Sequence, residues 1–261
     1  MKVRVAFSGS GFLTPVHVGA ATAFIDAGCE IIEVAGTSGG CICAAFIAAG
    51  ISPAKMKLIA IADLPHDILD FELYALLKDE GLNDGSTLLE WLKGILGSLK
   101  MGQSLVPVTI SATDINAGKQ FNFSNTETPD VLMADACRAS ASVPFVFSPH
   151  KTAGRKFVDG GVCCNLPIDD LIVDEIPRFG IQVIDGTTEG TTDTFIGLTT
   201  QLIGTMMASN QANMVEFGIR TGATIIPVSA ITFGFLNARL TMGQKIELFN
   251  RGYDAVKKAL Q

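Results

Sequence analysis

The sequence predicts an α/β protein built on a mainly parallel sheet. Three observations carry that prediction. Short apolar segments alternate with helically spaced ones from the N-terminus onward, the pattern of βα units. Glycine-rich turns stand where strand segments give way to helical ones. The composition favours small apolar residues: 48% of the 261 residues are hydrophobic and 27 are glycine. That suits a packed α/β enzyme and not a disordered or fibrous chain. One domain over residues 1–261 is expected, long enough to bury a sizeable core.

The elements follow in order. Val3–Phe7 reads as a short strand and Ser8-Gly9-Ser10-Gly11 as a turn. Pro15–Ala27 has helical apolar spacing, with Gly28 as its stop. Ile31–Ala35 is a second strand, and a helix runs from about Gly39 to Ala49. Ser52 caps a further helix with Pro53 at its first position. Leu64–Leu77 is apolar and less regular, Gly81–Gly85 reads as a turn, and Ser86 caps a helix through Leu96. Residues 52–100 are therefore expected to be a helical insertion. Val106–Thr113 and Lys119–Phe123 read as strands, Asp130–Ala139 as a helix, and Lys156–Val158 as a short strand ending at Asp159-Gly160-Gly161. Phe179–Ile184 is another strand, followed by a polar stretch at Asp185–Asp193 and a long helix over roughly 194–217. Strand Ala223–Val228 and an amphipathic helix over Thr241–Leu260 close the chain.

Bulk properties bound the partners. The net charge of −7 argues against non-specific nucleic-acid binding and against electrostatic attachment to anionic membranes. It leaves apolar peripheral contact with a membrane open. The cysteines at 29, 41, 43, 137, 163 and 164 form no C-x-x-C pair and read as reduced thiols. The first residues lead straight into a strand and do not resemble a signal peptide. No stretch offers the ~18 continuous apolar residues of a transmembrane segment. A cytoplasmic location is the resulting expectation.

Chemistry concentrates at Gly36-Thr37-Ser38-Gly39-Gly40. A G-x-S-x-G turn between strand and helix is a nucleophile elbow, which strains the serine and exposes its hydroxyl. Ser38 is thus the candidate nucleophile for acyl transfer. The chain holds three histidines as candidate bases. His17 lies in the first helix and is expected to pack there. His66 lies in the irregular insertion. His150 precedes the Asp159 strand and stays open as a base. Asp159 ends a short, mostly apolar strand, and a carboxylate in such a place becomes a stronger base. It could take the Ser38 proton directly, although Asp-Gly-Gly is also a plain turn sequence. Gly9, Ser10 and Gly11 are the candidate oxyanion donors, since small residues let N–H groups approach one oxygen closely. The same turn lacks the G-x-G-x-x-G and P-loop patterns, which argues against a nucleotide. If the strands before the three turns are parallel neighbours, the turns meet at one sheet edge.

Taken together and in order, these motifs resemble the patatin-like phospholipase family. They are Gly9-Ser10-Gly11, His17-Val18-Gly19, Gly36-Thr37-Ser38-Gly39-Gly40, the segment Gly81-Leu82-Asn83-Asp84-Gly85 with Leu88 and Trp91-Leu92, the block Ala139 to Pro149, and Asp159-Gly160-Gly161 with Asn165 and Pro167. The resemblance implies a three-layer α/β/α fold with a mainly parallel central sheet and a helical insertion. It implies a lipid acyl hydrolase with a Ser38–Asp159 dyad, an oxyanion hole at Gly9, Ser10 and Gly11, and neither metal nor organic cofactor. The expected partner is a phospholipid, lysophospholipid or other acyl ester; Leu64–Leu77 is the expected acyl entrance, with an ordinary core helix as the equal alternative for that stretch. Two alternatives stay beside it: an acyltransferase or thioesterase using the same dyad, and a non-catalytic lipid-binding relative. The chain departs from the family after Gly11, where Leu13 stands for the usual cation and Thr14 for the usual glycine.

Overall fold

A computed structural model describes residues 1–63, 81–184, 195–234 and 236–261. Strand β1 (Lys2–Phe7) leads through a 3-10 turn at Gly11–Leu13 into α1 (Thr14–Asp26). Strand β2 (Glu30–Thr37) leads into α2 (Gly39–Ala48). Helix α3 (Pro53–Leu58) starts at the Ser52 cap, whose side chain accepts the Lys55 N–H, and continues as a π-helical turn at Ile59–Asp63. Strand β3 (Gly81–Asn83) and α4 (Ser86–Leu96) follow. Next come β4 (Val108–Asp114), β5 (Lys119–Ser124) and α5 (Met133–Ser140). The strands β6 (Phe145–Phe147), β7 (His150–Thr152), β8 (Arg155–Asp159) and β9 (Arg178–Ile184) precede α6 (Phe195–Arg220). Strand β10 (Thr224–Ser229) and α7 (Met242–Ala259) end the chain.

The main sheet runs β10-β9-β1-β2-β4-β8-β7, with β5 also paired to β4. Its centre is parallel, as the βα alternation requires: β10, β9, β1, β2 and β4 all run the same way. Side chains alternate across it. Val3, Val5, Phe7 and Val34 face the large core under α1, α2, α5 and α7, while Ala6 and Ala35 face a smaller core with Leu166, Ile168 and Met214 of α6. Helices therefore cover both faces, and the fold is a three-layer α/β/α sandwich. No helix among the described residues is long and apolar enough to cross a membrane.

Three expectations need correction. Strand β8 is antiparallel to β4, so the three glycine turns do not follow parallel neighbours. Gly81–Asn83 is a strand paired with β6, so the segment 52–100 is not purely helical. The N-cap of α4 is Gly85, and the Ser86 N–H donates to Asp84 Oδ1 at 2.8 Å. Strands β6 and β7 carry too few residues to show a periodicity. The acyl entrance expected at Leu64–Leu77, His66 within it, and the polar stretch Asp185–Asp193 lie outside the described residues.

Candidate active site

The edges of β4 decide what meets what. Strand β5 pairs with β4 from Thr109 to Asp114. That fills one edge, so β2 and β8 share the other. Thr37 at the end of β2 sits opposite Ser111, and Asp159 at the end of β8 sits opposite Ala112. Ser111 and Ala112 are consecutive. Two strands running toward each other thus end head to head, and the turns after them, at Ser38 and at Asp159, come together. The antiparallel β8 delivers Asp159 to the site that a parallel strand was expected to supply.

Ser38 holds the strained backbone of an elbow, with φ 50° and ψ −125°. The turn is tight enough to need its glycines. A Cβ on Gly36 would stand 2.8 Å from both Cys41 N and Gly40 O, and one on Gly40 would run into the carbonyls of Phe7 and Ser8. Ser140, at the end of α5, locks the elbow: its Oγ accepts the Ser38 N–H at 2.8 Å and donates to Ser111 O at 2.5 Å. Thr37 Oγ1 donates to Cys164 O at 2.8 Å, which ties the elbow strand to the loop after Asp159.

Asp159 is wholly buried, as Ser38 nearly is. Its Oδ1 accepts the Gly161 N–H at 2.7 Å. Burial pushes its pKa up to about 6, against the Ser38 hydroxyl and the Gly161 N–H, which both favour the charged form. Oδ2 has no well-formed hydrogen bond, so the Ser38 hydroxyl acts on the carboxylate from close by without closing a bond of good geometry. The arrangement is a hydroxyl on a strained turn beside a carboxylate whose basicity is raised by its surroundings.

The turn after β1 lies against this pair. The Gly9 N–H donates to Asn165 O at 2.8 Å, so Gly9 shapes the turn but its N–H is already committed. The N–H groups of Ser10 and Gly11 have no acceptor among the described residues. Neither does that of Gly39, which opens α2 directly after Ser38 and was missed in the sequence. The rule that an elbow supplies the N–H of the residue after its nucleophile could have found it. A Cβ on Gly39 would touch Gly11 N at 3.1 Å, so the two turns are in contact. Thr14 joins them further, with its hydroxyl 3.3 Å from both Gly11 O and Gly39 O. Leu13 is fully buried, so no cation reaches the site from position 13.

His17 and His150 stand elsewhere. His17 is buried against Phe7, and burial drives its pKa down to about 3, which keeps it neutral. His150 Nε2 lies 3.1 Å from Asp135 Oδ1, near the start of α5, whereas Ser140 at that helix's far end holds the elbow. Cys164, Asp169 and Asp170 gather three ligand atoms within 4.8 Å of one another. Asp170 is already held by Asn122 at 2.6 Å and Gln120 at 3.3 Å, so the cluster is explained without an ion. An apolar cavity of about 40 Å³ opens on Ser38, lined among others by Ile42, Leu88, Val143, Phe147 and Leu236.

Comparison with known proteins agrees with this architecture. The family model described as patatin-like phospholipase matches residues 5–172. An uncharacterised NTE family protein of Mycobacterium tuberculosis is 28% identical over 171 residues, which are 64% of this chain and 44% of that protein. Patatin-2-Kuras 4 of Solanum tuberosum is 36% identical over 93 residues, 30% of this chain and 25% of that one. Among solved structures, VipD from Legionella pneumophila covers 99% of this chain and 66% of its own, at 15% identity and a TM-score of 0.64. ExoU of Pseudomonas aeruginosa, in complex with SpcU, covers 100% of this chain and 51% of its own, at 19% identity and a TM-score of 0.53. The chain thus spans less than half the length of the mycobacterial relative, and the solved structures share its fold.

Proposed function

The chain belongs to the patatin-like phospholipase family, and from that footing we propose that it is a lipid acyl hydrolase working through a Ser38–Asp159 dyad. The observation that carries the reading is the head-to-head meeting of β2 and β8 on one edge of β4. Ser38 Oγ attacks the ester carbonyl while Asp159 takes its proton. The N–H groups of Gly39, Gly11 and Ser10 stabilise the developing oxyanion. Asp159 then returns the proton to the departing alcohol. In the second half, Asp159 takes a proton from water, the water oxygen attacks the acyl-Ser38 carbonyl, and Ser38 leaves with that proton as the free acid is released.

The acyl group occupies the apolar cavity. A cavity of ~150 Å³ holds one benzene ring, so about 40 Å³ houses roughly two carbons. A longer chain must extend beyond it, and each further buried methylene adds ~0.8 kcal/mol of binding. The uncharged character of that lining supports a lipid ester, with peripheral contact at a membrane surface and no nucleic-acid partner. The cytoplasm is the proposed location.

The test is a substrate screen with purified protein and its Ser38→Ala control, using lysophospholipid, diacyl phospholipid, a short ester and an acyl thioester, alongside a fluorophosphonate probe. The expected outcome is covalent labelling of Ser38 and release of fatty acid from lipid esters. Preference for the thioester would make the protein a thioesterase. An unlabelled Ser38 in folded protein would make it a non-catalytic relative.

A further inference from the structure

We propose that Asn210, on α6, is a positioning residue for Asp159; this rests on the Ser38–Asp159 reading above. The loop after Asp159 is Gly160–Val162, a 3-10 turn. Its first two residues have no side chains; the Gly160 carbonyl is held within the loop by the Cys163 and Cys164 N–H groups, which leaves the Gly161 and Val162 carbonyls to donors from elsewhere. Asn210 reaches in with three hydrogen bonds to main-chain groups. Its Nδ2 donates to Gly161 O at 2.6 Å and Val162 O at 3.1 Å, and its Oδ1 accepts the Asn165 N–H at 2.8 Å.

Gly161 is the pivot of this arrangement. Its N–H donates to Asp159 Oδ1, and its carbonyl is held by Asn210. One residue thus links the carboxylate to α6. Neighbouring groups brace the same point. The Met207 methyl packs against Gly161 one turn earlier on the helix. Gln211 accepts from Asn165 Nδ2 and donates to Val183 O of β9 at 3.4 Å. Two consecutive residues of α6 therefore tie the base-bearing loop to helix and sheet. This restraint lies beyond residues 5–172, the span that the family model matches.

Glycine has more backbone freedom than any other residue, so Gly161 keeps its place only while something restrains it. Released from Asn210, its N–H drifts from Asp159 Oδ1. The carboxylate then loses both a group that favours its ionised form and the bond that aims it at Ser38. Among the described residues, the titratable side chain that feels the Asp159 charge is Cys41 on α2, whose thiol burial holds well above its ordinary value. It stays neutral over the working range. His150 is turned to Asp135. A shift in the acid limb of activity therefore reports on Asp159.

The experiment compares kcat, KM and the pH profile of kcat/KM for Asn210→Leu and wild type on a soluble ester, after thermal unfolding shows that both are folded. The expected result is a kcat lower by ~10–100-fold, the scale of a mispositioned base. KM should stay within about twofold, and the acid limb should move upward by about one pH unit, the scale of one lost hydrogen bond to a carboxylate. Asn210→Asp keeps the acceptor but loses both donated bonds, and should shift the limb in the same direction. If Asn210→Leu does not fold, Asn210→Ser is read by the same three quantities. An unmoved acid limb in the folded variants overturns the proposal, whatever happens to kcat. Asp159→Asn separates this from the underlying reading: full turnover there removes the dyad itself, whereas an inactive Asp159→Asn beside an unshifted Asn210→Leu removes only the role of Asn210.

Discussion

Ser140 shows how a residue outside the proposed dyad can set the geometry of Ser38. Its hydroxyl accepts from Ser38 and donates to Ser111 in one relay between β2, α5 and β4. Ser140→Ala leaves a buried N–H and a buried carbonyl without partners. Each orphan costs ~1–3 kcal/mol, so urea denaturation should show a loss of about 2–6 kcal/mol, together with a lower kcat from a relaxed elbow. The departures after Gly11 are explained at the same scale. Thr14 holds the two turns through Gly11 and Gly39, and Leu13 fills the core. Restoring the family's cation with Leu13→Arg would bury an unpaired charge, so it should destabilise the fold by several kcal/mol and not sharpen activity. Ser38 and Asp159 could be picked out of the sequence because each announces itself within five residues. Ser140 lies inside the block Ala139 to Pro149, yet its partner Ser38 is 102 residues away, and no local pattern encodes that pairing.

Arg138 works between elements. It is buried on α5, donates to Gly85 O at 3.0 Å and Asp84 O at 2.9 Å ahead of α4, and reaches Ser148 O at 3.2 Å and Ser142 Oγ at 2.5 Å in the segment around β6. Leu88 of α4 and Val143 and Phe147 of that segment are walls of the apolar cavity at Ser38, the proposed acyl site. One guanidinium thus sets the spacing of two walls. Arg138→Met has nearly the same reach and none of the donors. It should cost at least about 3 kcal/mol in chemical unfolding, because the hydrogen bonds of a buried guanidinium to Gly85 O, Asp84 O, Ser148 O and Ser142 Oγ are lost together. It should also flatten discrimination between short and long acyl esters. At this scale the sequence was readable wherever an element was long and regular: α1, α2, α7 and the parallel strands show their spacing plainly. It was silent on β6 and β7 and misjudged β3. A three-residue strand owes its existence to its neighbour and not to its own pattern. The direction of β8 was equally hidden, since an apolar run reads the same in either sense.

Over the whole molecule, two fully buried titratable groups pull stability in opposite directions with pH. His17 is held neutral, its pKa lowered from 6.5 to about 3, so the unfolded chain takes up a proton first as pH falls below 6.5. The stability this gives is present above that value and is lost toward pH 3. Asp159 is raised from 3.8 to about 6, so in this window the folded chain holds the proton that the unfolded chain has released. Its contribution is present below pH 4 and is lost as pH rises through 6. Above pH 6 the fold therefore carries a buried carboxylate at a cost on the order of 2–3 kcal/mol. That is the strain the proposed role of Asp159 entails, a base kept strong for catalysis at the expense of the fold. Asp159→Asn removes it. The variant should be inactive and, at pH 8, more resistant to thermal unfolding than wild type by an amount of that order. At pH 4 both side chains are neutral and the difference should vanish. Equal stability at pH 8 would mean that the carboxylate ionises there without penalty, and the physical reason for its strength as a base would be gone.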